Sequence, residues 1–212
     1  MPSWRRWVTG TQRYDPPRMS EQQEQHEIDG EVEEGLDEQE RAAFRAAAMR
    51  LVRQFPDPVL KNPGSVVADV DDDVRRLTER MIEVMARAHG VGLAAPQIGV
   101  SRRVLVYDVH DDGGARVLIN PELVERSEET VADTEGCLSL LGGEIQVTVE
   151  RHAKIRVKAQ DASGETVEYE AEGLESRVIQ HEIDHLDGVL IIDRAAGDDR
   201  RNALRELRLR AG

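Results

Sequence analysis

The sequence predicts an α+β fold, and three observations carry that prediction. A well-punctuated amphipathic helix at 71–89 is followed by β-branched runs between 103 and 171, and a second helix-spaced segment at 173–188 comes after them. Helices and strands are thus partly segregated along the chain, unlike the strict alternation of a doubly wound βαβ array. Mixed or antiparallel sheets packed around the second helix are expected.

Taken in order, residues 1–37 read as a disordered or peripheral extension. Residues 1–18 hold four Arg and one Asp with no periodicity, and residues 19–40 hold ten acidic side chains and no Lys or Arg. Such a stretch cannot bury enough apolar surface to offset its ordering entropy. Met19, which opens the acidic run, could itself be the start of translation. Residues 38–50 are rich in Ala and helix formers, with Phe44 and Met49 as apolar anchors, and read as a lead-in helix. The main domain, 51–197, opens near the turn Phe55-Pro-Asp-Pro58.

From Asp71 to His89, Val74, Leu77, Met81, Val84, Met85 and Ala88 recur at spacings of three and four, with acidic residues in front and Gly90 behind. That is an amphipathic helix with start and stop signals. Strands are expected at 103–109 and 116–119, separated by the turn Asp111-Asp-Gly-Gly114, then at 146–149, 153–159 and 166–171. The last two pair as a hairpin across Asp161-Ala-Ser-Gly164. After the second helix, Val189-Leu-Ile-Ile192 reads as a short strand. Residues 198–212 form an Arg-rich terminal segment with Asp198 as N-cap, either a solvated helix or a docking element for a polyanion.

Composition narrows the class. Cys137 is the only cysteine, so no intrachain disulfide can form. No apolar run approaches the ~20 residues needed to span a bilayer, and no h-region marks a secretory signal. A soluble cytoplasmic protein is expected, with no membrane partner. The net charge is -14, but residues 19–40 account for -10 and residues 1–18 for +3, which leaves -7 on the rest. The body is thus only moderately acidic, with a locally basic last stretch from Asp198, and no sequence-specific nucleic-acid partner is expected.

Chemistry concentrates in Gln180-His181-Glu182-Ile183-Asp184-His185. On a helix His181 and His185 lie one turn apart with Glu182 beside them, the arrangement of two metal-binding nitrogens and an acid/base group. Alone it reads equally well as a polar surface helix. Ile179, Ile183 and Leu186 make an apolar stripe on the opposite face. Two other stretches join it. Gly90-Val-Gly-Leu-Ala-Ala-Pro-Gln97 would allow close backbone approach and present the Gln97 amide, although a C-cap and tight turn explains it as well. Glu135-Gly-Cys-Leu-Ser139 holds the lone cysteine, which is either a small buried hydrophobe or a third ligand leaving one position open for water.

These three stretches, in this order and at these separations, resemble the signature motifs of the peptide deformylase family. The likeness runs from about Phe55 to Asp193. It implies an α+β fold and removal of the formyl group from the N-terminal formyl-methionine of newly synthesised polypeptides. It further implies Cys137, His181 and His185 as ligands of one divalent metal, Fe(II) natively, with Zn(II) or Ni(II) as substitutes. The ligand set alone points to zinc. By the same resemblance Glu182 moves the proton, and the Gln97 amide and the Leu138 backbone N–H stabilise the oxyanion. Val91, Gly92, Leu174 and Val178 are candidates for substrate binding; Val91, Leu174 and Val178 also read as plain core. Asp184 could orient a ligand histidine, but an exposed helix carboxylate is the ordinary account. Family members can use their C-terminal end to bind the ribosome, so ribosome docking through the Arg-rich terminus is a second expectation.

Two departures stand out. Where the family commonly continues from Ser139 with an aliphatic residue and Pro, this chain has Leu140-Leu141-Gly142-Gly143, which leaves substrate-backbone recognition open. The N-terminal extension has no counterpart. Two other functions fit part of the pattern. A zinc endopeptidase would use the two histidines and Glu182 but leave Cys137 and Gln97 unexplained, and a non-catalytic peptide-binding relative would have no need of Glu182.

Overall fold

The computed structural model describes residues 37–109 and 114–210. The readings for residues 1–36 and for the turn at 111–113 lie outside them.

Helix α1 (Glu38–Met49) starts because Asp37 accepts the Gln39 and Glu40 N–H groups, both at 2.8 Å, while Glu40 reaches back to the Asp37 N–H. Asp37 is therefore a cap rather than the end of a peripheral segment. Of the two expected anchors only Met49 packs against the core; Phe44 is 40 % exposed, and the Arg87 guanidinium lies over its ring. Helix α2 (Asp72–Arg87) is capped by Asp71, which accepts from Val74 N–H at 2.9 Å, and buries Val74, Met81, Val84 and Met85 as its spacing predicts.

Among the described residues seven strands follow: β1 (Gly92–Ala94), β2 (Val104–Tyr107), β3 (Arg116–Arg126), β4 (Thr130–Gly136), β5 (Gln146–His152), β6 (Lys154–Gln160) and β7 (Thr166–Glu172). They form two antiparallel sheets, one of order β1-β2-β3-β6-β7 and one of β4 with β5. The hairpin β6-β7 is as expected, whereas β3 is longer than its β-branched core and β1 and β4 were not foreseen. In β4 six of the seven residues are exposed, so no alternation of apolar and polar residues marks it. Pairing with β5 creates it.

Alternation in β2 divides the core. Val104 and Val106 face α2, while Leu105 and Tyr107 face helix α3 (Gly173–Leu186) through Val178, Ile179, Ile183 and Leu186. The large sheet is thus covered on both faces, with the expected apolar stripe of α3 on one of them. A third cluster joins Cys137, Leu140 and Ile145 to Val147 and Val149 of β5 and to the C-terminal segment.

In that segment the expected strand at 189–192 is instead an extended pair followed by the helical turn α4 (Ile191–Arg194). The Asp193 carboxylate accepts the Leu190 N–H at 2.8 Å and is held by Lys61. This caps a turn that buries Leu190, Ile191 and Ile192 without a strand partner. Helix α5 (Gly197–Arg210) follows, with Ala203 and Leu207 buried. It is docked on one face, not solvated all round, and it is Asp199 that accepts the Thr148 N–H of β5. No helix of the described residues is long and apolar enough to cross a membrane.

Candidate active site

The reactive groups converge because α3 lies between the two sheets. The ligand atoms of Cys137, His181 and His185 all fall within 4.8 Å of one another. Cys137 Sγ is 3.2 Å from His185 Nε2, and the two imidazoles stand at 61° with centroids 5.0 Å apart. Helical spacing gives the histidine pair, as the sequence implied. Cys137 arrives at the end of β4, just beyond its pairing of Gly136 with Gln146 of β5.

Glu182 is buried, and among the described residues its Oε2 has no hydrogen-bond partner. Burial pushes its carboxyl up to about 7. Gly92 lets it sit there: a Cβ on Gly92 would come 2.4 Å from Glu182 Oε1. Gln97 is fixed at both ends of its amide. Oε1 accepts the Ala94 N–H at 2.7 Å, and Nε2 donates to Ser139 Oγ at 3.3 Å and points at Cys137 Sγ at 3.8 Å. Leu138 is half-buried, its carbonyl held by Gln54 Nε2 at 2.9 Å. Of the suggested substrate-binding side chains, Val91 and Leu174 are 40 % and 57 % exposed, while Val178 is packed in the core.

The structure adds residues to which the sequence assigned no role. Glu135 accepts His181 Nδ1–H at 2.9 Å, both Nε and Nη2 of Arg151 at 2.9 Å, and Arg177 Nη1 at 2.6 Å. Burial pushes the Glu135 carboxyl up, but the hydrogen bonds from Arg151 and His181 outweigh it and hold the group well below the usual carboxylate range. Arg151 continues to Asp184, which also binds Arg194. Asp184 is 5 % exposed, so the ordinary account of an exposed helix carboxylate is wrong. It anchors α3 to β5 through Arg151. One signal was available: Val147, Val149 and Arg151 share the inward face of β5, and an arginine there calls for buried carboxylates.

The cluster suits a divalent transition metal. With Nδ1 of His181 taken by Glu135, its Nε2 is left for the ion, the usual arrangement of a metal-bound histidine with a carboxylate behind it. Burial alone would lower the His181 pKa, yet hydrogen bonds to Cys137 and Glu135 raise it to about 10. Three protein ligands rather than four is the pattern of reactive centres, not of structural ones. By its fold and this cluster the protein is a metal-dependent hydrolase.

The comparisons with known proteins are specific. The family model described as Polypeptide deformylase matches residues 49–201. The peptide deformylase of Dictyoglomus thermophilum is 50 % identical over 147 residues, covering 69 % of this chain and 93 % of that protein. The crystal structure of peptide deformylase from Thermotoga maritima matches with 49 % identity and a TM-score of 0.66, covering 69 % of this chain and 97 % of that one. The Legionella pneumophila enzyme reaches a TM-score of 0.70 at 39 % identity, over 76 % and 96 %. The chain belongs to the polypeptide deformylase family, and it removes the N-formyl group from newly synthesised polypeptides. The endopeptidase and non-catalytic readings are thereby set aside.

Proposed function

We propose that Cys137, His181 and His185 hold the metal, that Glu182 is the proton carrier, and that Gln97 and Leu138 stabilise the oxyanion during hydrolysis of the formyl group. One observation carries this reading: three ligand atoms, two of them on the helix that also carries the Glu182 carboxylate, unpartnered among the described residues, lie within 4.8 Å of one another. Fe(II) is the native ion we propose, from the family resemblance, with Zn(II) or Ni(II) able to substitute. When bound, the metal supplies Lewis acidity and makes a water molecule acidic enough to react near neutral pH.

Glu182 accepts the proton of the attacking water. A carboxyl pushed up to about 7 is matched to that exchange, because acid/base catalysis is most effective when the group's pKa lies near the working pH. As water oxygen bonds to the formyl carbon, the carbonyl oxygen becomes anionic and needs donors. Gln97 Nε2 can turn to it from Ser139, and the Leu138 N–H has no acceptor among the described residues. When the C–N bond breaks, Glu182 returns its proton to the amine, and formate and a free N-terminus leave. Gly92, Val91, Leu174 and Val178 are proposed to receive the methionine.

The test is to purify the full chain anaerobically, measure its metal content, and assay formyl-Met-Ala beside an unformylated protein. Release of free amine from the formylated peptide alone, in proportion to bound Fe(II), is expected. Turnover that does not track metal, or cleavage of the unformylated protein, would overturn the reading.

For the location we propose the cytoplasm, where translation delivers formylated chains, and fractionation of cells should find it there, not with the membrane. For α5 we propose ribosome docking: its outward side carries Arg201, Arg205 and Arg208, all exposed, away from the buried Ala203 and Leu207. Salt-sensitive co-sedimentation with ribosomes should be lost when these three are changed to Glu, with deformylation of formyl-Met-Ala retained. Binding that survives the charge reversal would dismiss it.

A further inference from the structure

Helix α1 lies, but for Met49, before the 49–201 stretch that matches the family, yet Arg45 and Met49 on it reach segments that lead into the proposed site. Arg45 donates from Nε to the Ala88 carbonyl at 3.4 Å and from Nη2 to the Gly142 carbonyl at 3.2 Å. Ala88 closes α2 and leads into Gly90, Val91 and Gly92, which abut the Leu138 side chain and Glu182. Gly142 lies in the turn that continues from Cys137, Leu138 and Ser139. The two carbonyls are 54 residues apart in sequence, and a single guanidinium fork joins them.

That turn needs an outside hold. Leu141, Gly142 and Gly143 have φ of 51°, 67° and 91°, a left-handed run that costs a non-glycine residue energy and leaves glycines free to leave it. Among the described residues its internal ties are the Gly143 and Glu144 N–H groups, bonded to the Leu140 and Leu141 carbonyls at 3.2 and 3.3 Å, and Arg210 pairs with Glu144 at its far end. Besides Arg45, α1 contributes Met49, whose Cε lies 3.5 Å from where a Gly142 Cβ would be. The turn is half-buried at the rim, and its Gly143 carbonyl lies against Gly136, next to Cys137. The two segments that Arg45 joins thus run directly into Gly92, which abuts Glu182, and into Cys137, both in the proposed site.

We propose that Arg45 is a positioning residue, which fixes the 141–143 turn relative to the Val91–Gly92 wall and so sets recognition of the peptide backbone beyond the first two residues. The inference rests on the proposed site, and the experiment separates the two. Full-length wild type, Arg45→Ala and Arg45→Lys are assayed on formyl-Met-Ala and on a formyl-Met pentapeptide. For Arg45→Ala, KM for the pentapeptide should rise about three- to tenfold, with its kcat and both constants for formyl-Met-Ala within about twofold. Arg45→Lys can serve only one of the two carbonyls and should fall between, which keeps the test open if the alanine variant does not fold. An equal loss on both substrates would mean a merely structural role, and an unchanged KM would mean none; either overturns the inference. Wild type inactive on both substrates would instead indict the proposed site.

Discussion

Replacing Glu182 by Ala is expected to lower kcat on formyl-Met-Ala by about two to four orders of magnitude, the usual contribution of a positioned acid/base group, while the metal stays bound. The size follows from its isolation. Glu182 Oε2 is buried without a partner, and the carboxylates of Glu135 and Asp184 are occupied by Arg151, Arg177, Arg194 and His181. No neighbouring carboxylate can therefore take over the proton. The measurement is kcat together with metal content of the same preparation. Loss of metal with loss of turnover would mean that Glu182 is a ligand and that the proton carrier is another group.

The second large effect concerns stability. Arg151→Met is expected to cost about 3 kcal/mol, the low end for breaking a buried ion pair by removing one partner. Arg151 is 5 % exposed and spans two carboxylates that are themselves buried. Glu135 keeps Arg177 and His181, and Asp184 keeps Arg194, which holds the loss to that end of the range. At about 2–4 °C per kcal/mol for a domain of this size, the metal-loaded protein should melt roughly 6–12 °C lower. Metal affinity should also weaken about ten- to a hundredfold, because Glu135 orients His181. A melting temperature within about 2 °C of wild type would show that the network is not a structural tie.

The second prediction concerns a network to which the sequence assigns no role, and the first depends on that network because it occupies the neighbouring carboxylates. The sequence gives Glu135 no role beyond its place in the motif, and nothing in the spacing of α3 distinguishes Asp184 from an exposed carboxylate. Their roles depend on Arg151, a residue of another strand, and no local pattern in α3 shows that β5 will bring a guanidinium beneath it. The error at Val189-Leu-Ile-Ile192 has a similar cause. An apolar run of four has no period of its own, and a carboxylate cap from Asp193 turned it into helix.

Elements with a strong period of their own were legible. The spacing of Val74 to Ala88 placed α2, the stripe Ile179, Ile183, Leu186 gave the buried face of α3, and the separation of helices from strands gave the α+β class. β4 was not, because its exposed polar residues owe their strand to partners ten to twenty-two residues away along the chain, Gly136 against Gln146 at one end and Thr130 against His152 at the other.

For the candidate site, the sequence by itself determined which side chains could hold an ion and half the geometry, because four-residue spacing on a helix puts His181 and His185 on one side whatever surrounds them. It also determined the family, through three ordered motifs. Only the tertiary structure decided that Cys137 lies 3.2 Å from His185, that Glu182 is left unpartnered against Gly92, and that Glu135 and Arg151 stand behind His181. Those are contacts between segments tens of residues apart, and their distances are set by how the two sheets pack around one helix.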